Sequence, residues 1–239
     1  MNPITFFWKS SIGKKWLVAL TGIVLVAYVF GHLAGNLQIF LGPAKINAYA
    51  QFLHSLGPIL LAVRLFLIAC FVLHIVMTIK LVTENRAAKP TPYIFPNSVQ
   101  SKVATRTMAI SGLIVLSFVI YHLLHFTIRS TDARFKPITA GGKGLLHGEY
   151  DVYSMIILGF GPSFLGVLCG LFYLLGVGLL CLHLSHGFSS LLQTLGVTTK
   201  KTLTDLQRAG QVVAALVFLG YASIPFAVWF GILTLRTSL

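Results

Sequence analysis

The sequence predicts an all-α integral membrane protein: one domain over residues 1–239, five transmembrane helices in a bundle, N-terminus cytoplasmic and C-terminus on the outer side. Three observations predict it. Of 239 residues, 56% are hydrophobic and 10% charged, with a mean hydropathy of +0.86. That is more apolar surface than the polar residues of a soluble domain can cover. Five apolar runs, at 16–40, 58–82, 103–129, 162–190 and 207–235, are each long enough to cross a bilayer. The net charge of +13 is carried by lysines and arginines set between those runs. This distribution points to positive-inside topology and anionic membrane lipid, not to nucleic acid, since no basic patch is interleaved with aromatics.

The elements follow in order. The first run opens after Lys9, Lys14 and Lys15. It is too long for a signal-peptide core and is followed by no small-residue cleavage site, so it reads as a retained helix. Residues 43–57, PAKINAYAQFLHSLG, read as a short amphipathic segment at one surface. Pro58 and Pro162 stand at the starts of runs two and four, where proline suits a first helical turn. Residues 84–100 read as a polar, proline-punctuated loop, and 130–161 as the longest polar connection. Thr202 and Asp205 before run five resemble a capping box, and Pro225 is expected to kink the last helix. Cys70, Cys169 and Cys181 lie inside apolar runs with no Cys-x-x-Cys pair, as buried structural thiols do.

With the N-terminus inside, eleven lysines and arginines fall on inner segments and six on outer ones, the bias the rule demands. Arg64 remains within run two, near its outer end.

Five of the eight histidines lie well within spans, His32, His74, His122, His125 and His183, and His186 lies at the inner end of the fourth. Alone, each reads equally well as a core histidine bonded to a neighbouring carbonyl. Ionisable residues inside a membrane are costly, however, and mark pathways or cofactors. Depth sorts them. His32 lies 17 residues past Lys15 and His122 lies 16 past Arg106, about 26 and 24 Å along their helices. His74 lies six residues before Lys80, about 9 Å from the inner boundary. His183 lies 21 residues past Pro162, about 31 Å from the outer start of its helix. An outer pair, His32 and His122, and an inner pair, His74 and His183, result. Two bis-histidine b-type haems stacked across a membrane require this arrangement, with all six iron positions filled and electron transfer as the task.

His125 and His186 each follow a proposed ligand by three residues, on roughly the same helix face. Contact with a haem propionate or a quinone is one reading, interhelical bonding the other. Arg64 could neutralise an outer propionate or snorkel to the interface. Gly31 and Gly35 flank His32, and Gly176, Gly178 and Gly187 surround His183. Such glycines suit a flat macrocycle but equally suit ordinary helix packing in lipid.

The stretches GHLAGN (31–36), NAYAQFLHSLGP (47–58), LHIVMTIKL (73–81), YHLLHF (121–126) and LHLSHGFSSLLQTLG (182–196) span nearly the whole chain. In these the chain resembles the cytochrome b558 subunit of succinate:quinone oxidoreductases, the single-chain, five-helix, di-haem membrane anchor of respiratory complex II. The resemblance implies that His74 and His183 ligate the proximal haem iron and His32 and His122 the distal one. It implies a bacterial cytoplasmic membrane and two partners, a flavoprotein with FAD that oxidises succinate and an iron–sulfur protein that relays electrons. A higher oligomer of that complex is compatible with it. Membrane quinone is then the substrate, and Gln51, His54 and Ser55 are the outer quinone candidates. An interfacial polar helix without ligands is the rival reading of that segment. The chain has no dinucleotide fingerprint and no cluster cysteines, so dicarboxylate chemistry belongs to the partners. No Asp or Glu lies inside a span, which removes an obvious carboxylate route for protons.

Two alternatives stay open. One is the membrane cytochrome b of another respiratory oxidoreductase, of hydrogenase or nitrate reductase type. The bc-type cytochromes place two ligands on one helix several turns apart, a spacing no span here has. The other is a histidine-using transporter without haem, for which inverted repeats would speak.

Overall fold

A computed structural model describes residues 2–88, 103–135, 151–199 and 201–235. Most of the loop expected at 84–100, and the middle of the connection expected at 130–161, lie outside the described residues. The described chain is helical and contains no strand. In order, the helices are α1 (Pro3–Lys9), α2 (Ser11–Leu37), α3 (Pro43–Ser55), α4 (Pro58–Ala87), α5 (Val103–His122), α6 (Val152–Phe160), α7 (Phe164–Thr194) and α8 (Leu203–Trp229). Five helical stretches are long and apolar enough to cross a membrane: Ser11–Leu41, Pro58–Ala87, Met108–Thr127, Phe164–Thr194 and Leu203–Trp229. This is the architecture of a multi-pass membrane protein. Their outward leucines and isoleucines, such as Leu61, Leu65, Leu168, Leu175 and Leu216, are exposed, as hydrocarbon as solvent permits.

The boundaries differ from the hydropathy reading for identifiable reasons. The first long helix starts at Ser11, not near 16, because Ser10 caps it: Ser10 Oγ accepts from Gly13 N at 2.9 Å. Lys14, which hydropathy treats as a boundary, is buried inside the helix and pairs with Glu84 at 2.5 Å. Before α8, Thr202 bonds to Thr199, its Oγ1 accepting from Thr199 N at 2.9 Å. Thr199 Oγ1 in turn accepts from Thr202 N at 3.2 Å. A reciprocal threonine turn thus stands where a capping box is expected. Helix α8 includes Pro225 and ends at Trp229, short of 235. The connection 130–161 is not polar throughout. Its end forms α6, VYSMIILGF, with Tyr153, Met155, Ile156, Ile157 and Phe160 buried. Nine residues are too few to span a bilayer but suffice for a buried core helix.

The chain divides into two compact units. The first comprises Met1–Val29, Ala62–Leu113 and Leu182–Ala214. Besides the Lys14–Glu84 pair, Lys80 Nζ lies 4.9 Å over the Trp8 ring here. The second comprises Phe30–Leu61, Ile114–Cys181 and Ala215–Leu239. In it α3 rests on α6 through a buried polar joint. Asn47 Nδ2 donates to Asp151 Oδ1 at 3.1 Å and Asn47 Oδ1 accepts from Tyr153 N at 3.1 Å. Asp151 also caps α6 by accepting from Ser154 N at 3.0 Å. Trp229 Nε1 donates to Phe160 O at 2.9 Å, and its ring fills the side of Gly170, where any Cβ would meet it at 2.4 Å. All three cysteines are buried and free.

Candidate functional site

The four histidines proposed as ligands divide between the two units, two in each. His74 and His183 belong to the first unit, His32 and His122 to the second. All four are only half-buried, although they lie on long apolar helices.

In the first unit, His74 on α4 turns its Nδ1 toward α2. Thr21 Oγ1 is 3.1 Å away and Val18 O 3.2 Å away. His183 on α7 turns its Nδ1 toward α5, with Ser111 Oγ at 3.3 Å. His186 is half-buried and accepts at its backbone carbonyl from Ser189 Oγ at 3.0 Å. Arg64 is exposed and falls in this unit.

In the second unit, the imidazoles of His32 and His122 face each other, centroids 5.7 Å apart and planes at 80°. Aromatics wall the pair. Tyr221 lies 6.2 Å from His32; Tyr173, Phe126 and Phe118 lie 5.8, 6.0 and 6.2 Å from His122. Immediately after His122 the helix widens into a π-turn, Leu123–Thr127, a local distortion frequent at functional sites. Arg129, with φ +61°, ends it.

The π-turn places His125 in the core. Its Nδ1 is 3.0 Å from Tyr173 Oη, its Nε2 is 3.5 Å from Asp132 Oδ2, and its ring stacks on Phe135 at 5.1 Å. Both ring nitrogens therefore have protein partners. A propionate would have to displace one of them. Asp132 accepts from Arg134 N at 2.9 Å and from Arg134 Nε at 2.8 Å. Burial pushes the Asp132 carboxyl up, but the hydrogen bonds and charge of Arg134 outweigh it and hold the carboxyl below its ordinary value. The same pairing raises Arg134 above its own.

The three residues of α3 singled out from the sequence belong to the unit of His32 and His122. Gln51 is exposed, His54 half-buried and Ser55 exposed, and Ser55 Oγ donates to Phe52 O at 2.7 Å. Helix α3 touches α2 at Gly35, one turn past His32, where a Cβ would meet Tyr49 at 2.8 Å. Of the flanking glycines, Gly35 and Gly176 admit aromatic neighbours, a Cβ on Gly176 meeting Phe118 at 2.2 Å. Gly178 sits at ordinary contact distance from Phe218. Gly31 and Gly187 face open space.

Sequence reasoning passed over Thr21, Ser111, Tyr173 and Asp132. A signal existed for the two hydroxyls. Thr21 lies six residues past Lys15 and Ser111 five past Arg106, about 9 and 8 Å into their helices, the depth already assigned to His74. Among the described residues no group of three or more His, Cys, Asp or Glu is placed to hold a metal ion. The histidines offer pairs, not clusters, and a pair suits a metal whose remaining ligands come from a macrocycle. Comparison of the chain with protein-family models, with curated proteins and with solved structures returned no match.

Proposed function

We propose that this chain is the membrane-anchor and quinone-reactive di-haem cytochrome b subunit of a succinate:quinone oxidoreductase in a bacterial cytoplasmic membrane. The observation that carries the reading is the edge-to-face contact of His32 with His122, with His74 and His183 together in the other unit.

His32 and His122, with ring centroids 5.7 Å apart, are the residues that would hold one such iron between two helices. His74 and His183 each have Nδ1 engaged by a neighbouring helix, the outer-shell contact that leaves Nε2 for a metal. The half-burial of all four agrees with side chains that leave room beside them.

In this reading His32 and His122 hold one haem iron near the outer side, and His74 and His183 hold the other near the inner side. When bound, two bis-histidine haems supply a path for single electrons and no open position for oxygen. The chain's own residues bind and orient. Tyr173, Phe118, Phe126 and Tyr221 keep water from the outer pair. The exposed surface of α3, with Gln51, His54 and Ser55, offers donors to a quinone carbonyl, and His54 can pass a proton near neutral pH. A flavoprotein subunit and an iron–sulfur subunit supply the electrons.

The test is purification from native membranes through a tag on this chain. The reading predicts a flavoprotein and an iron–sulfur protein in the eluate, a b-type reduced-minus-oxidised spectrum and succinate:quinone activity. A chain that arrives without haem, or with hydrogenase or nitrate reductase subunits, contradicts it.

A further inference from the structure

Two places on the first unit are built alike. On α2, Thr21 Oγ1 meets His74 Nδ1 at 3.1 Å, and a Cβ on the adjacent Gly22 would lie 3.6 Å from His74 Cε1. On α5, Ser111 Oγ meets His183 Nδ1 at 3.3 Å, and a Cβ on the adjacent Gly112 would lie 3.5 Å from His183 Cε1. Each imidazole is held on one edge by a hydroxyl and against its Cε1 corner by a glycine.

The hydroxyl protons have another destination. Thr21 Oγ1 donates to Leu17 O at 2.7 Å, and Ser111 Oγ donates to Met108 O at 3.0 Å. A hydroxyl has one proton, so toward the histidine each can only accept. His74 Nδ1 is therefore the N–H, and Val18 O at 3.2 Å is its second acceptor. With the Ser111 proton on Met108 O, Ser111 is an acceptor toward His183, which assigns the N–H to His183 Nδ1. In both rings the lone pair is left on Nε2. The glycines set the ring's place: beyond a methyl group, any side chain at 22 or 112 would press on the imidazole.

The sequence repeats the device. The segments TGIVLVAYVFGH (21–32) and SGLIVLSFVIYH (111–122) share the pattern Ser/Thr-Gly-x9-His. Eleven residues are about three helical turns, so the hydroxyl and the histidine of each segment share one helix face. Helices α2 and α5 thus each carry one histidine of the second unit's pair and one hydroxyl–glycine step that orients a histidine of the first unit's pair.

We infer that Thr21–Gly22 and Ser111–Gly112 are matched positioning steps that fix His74 and His183 as Nδ1–H tautomers with Nε2 directed to a metal. The inference rests on the di-haem reading for the identity of that metal, though not for the tautomer. An N–H that donates makes its imidazole a stronger electron donor through Nε2. Loss of the acceptor raises the midpoint potential of the metal it ligates.

The experiment uses the whole chain in its purified complex, with Thr21→Val, Ser111→Ala and the conservative Thr21→Ser and Ser111→Thr. Redox titration reads each haem, and 15N spectra of histidine-labelled, fully reduced protein read the tautomers, assigned through His74→Ala and His183→Ala. Expected is an upward potential shift of one and the same haem in Ser111→Ala and Thr21→Val. The shift is smaller in Thr21→Val, because Val18 O remains, and the conservative variants restore the wild-type value. The other haem is unmoved. The Nδ1–H resonance of His183 shifts in Ser111→Ala. Unchanged potentials with both haems present, shifts in different haems, or Nε2-protonated rings in the wild-type overturn the inference. A wild-type chain without haem overturns the proposed function instead, and the 15N spectra then decide the tautomer by themselves.

Discussion

The imidazole of His32 faces that of His122 at 5.7 Å, centroid to centroid, across two helices that are 90 residues apart in sequence at these positions. No local force brings them together. Two polar rings in an apolar setting are costly there unless something joins them, and a shared metal is a reason for both to be present.

If each unit holds one metal, the histidines must fail in pairs. His32→Ala and His122→Ala are expected to remove one haem transition and leave the other. His74→Ala and His183→Ala are expected to do the reverse. Redox titration of the four variants checks this. Loss of the same transition in His32→Ala and His74→Ala would show the pairing to be wrong.

The five spans were legible because each is a run of more than twenty residues with almost no charge, a signal that needs no partner to interpret. The meeting of His32 and His122 follows the sequence signal of equal depth, since rise per residue converts sequence position to depth. What was not legible needed a partner. Lys14 reads as a helix boundary until Glu84 is seen beside it. Helix α6 is too short for a spanning signal, and its burial depends on α3, through Asn47 and Asp151, more than 100 residues away in sequence. His125 looks like a cofactor contact until the π-turn swings it onto Tyr173 and Asp132. Thr21 and Ser111 are ordinary hydroxyls until their depth is set against that of His74 and His183.

His54 is the residue of α3 best suited to proton delivery. His54→Ala is expected to leave both haem spectra intact while slowing succinate:quinone turnover on the order of 100-fold. Activity with an artificial acceptor at the soluble subunits should persist. Normal quinone kinetics in a stable complex would assign His54 to anchoring of α3 alone.

Gly176 and Gly187 lie on one helix but in different surroundings. A Cβ at 176 would stand 2.2 Å from Phe118, whose ring packs near His122. Gly176→Ala should therefore cost about 1–3 kcal/mol by overpacking. At Gly187 nothing lies within 4 Å, and Gly187→Ala should be neutral or stabilise by up to about 1 kcal/mol through helix propensity. Thermal unfolding in detergent compares them, and equal effects would contradict the packing described.

Asp132, 10% exposed, is held ionised by Arg134 below the ordinary carboxylate value of 3.8. Its folded pKa is depressed, so its contribution is complete above the unfolded value and is lost as pH falls through the folded one. Asp132→Asn should cost about 1–2 kcal/mol at pH 7, with solvent around the partly exposed Arg134 trimming the upper figure. The gap between variant and wild-type should stay open at pH 5 and close only below about pH 4. Unfolding curves at pH 7, 5 and 3 check the sign, and a gap that widens on acidification would contradict it.

The most direct measurement is a pyridine haemochrome assay on the purified chain, set against its protein concentration. Four imidazoles in two pairs saturate two irons. The account predicts two haems b per chain, non-covalently held and extractable in acid acetone. One haem per chain would contradict the two-pair arrangement, and none would contradict the central claim altogether.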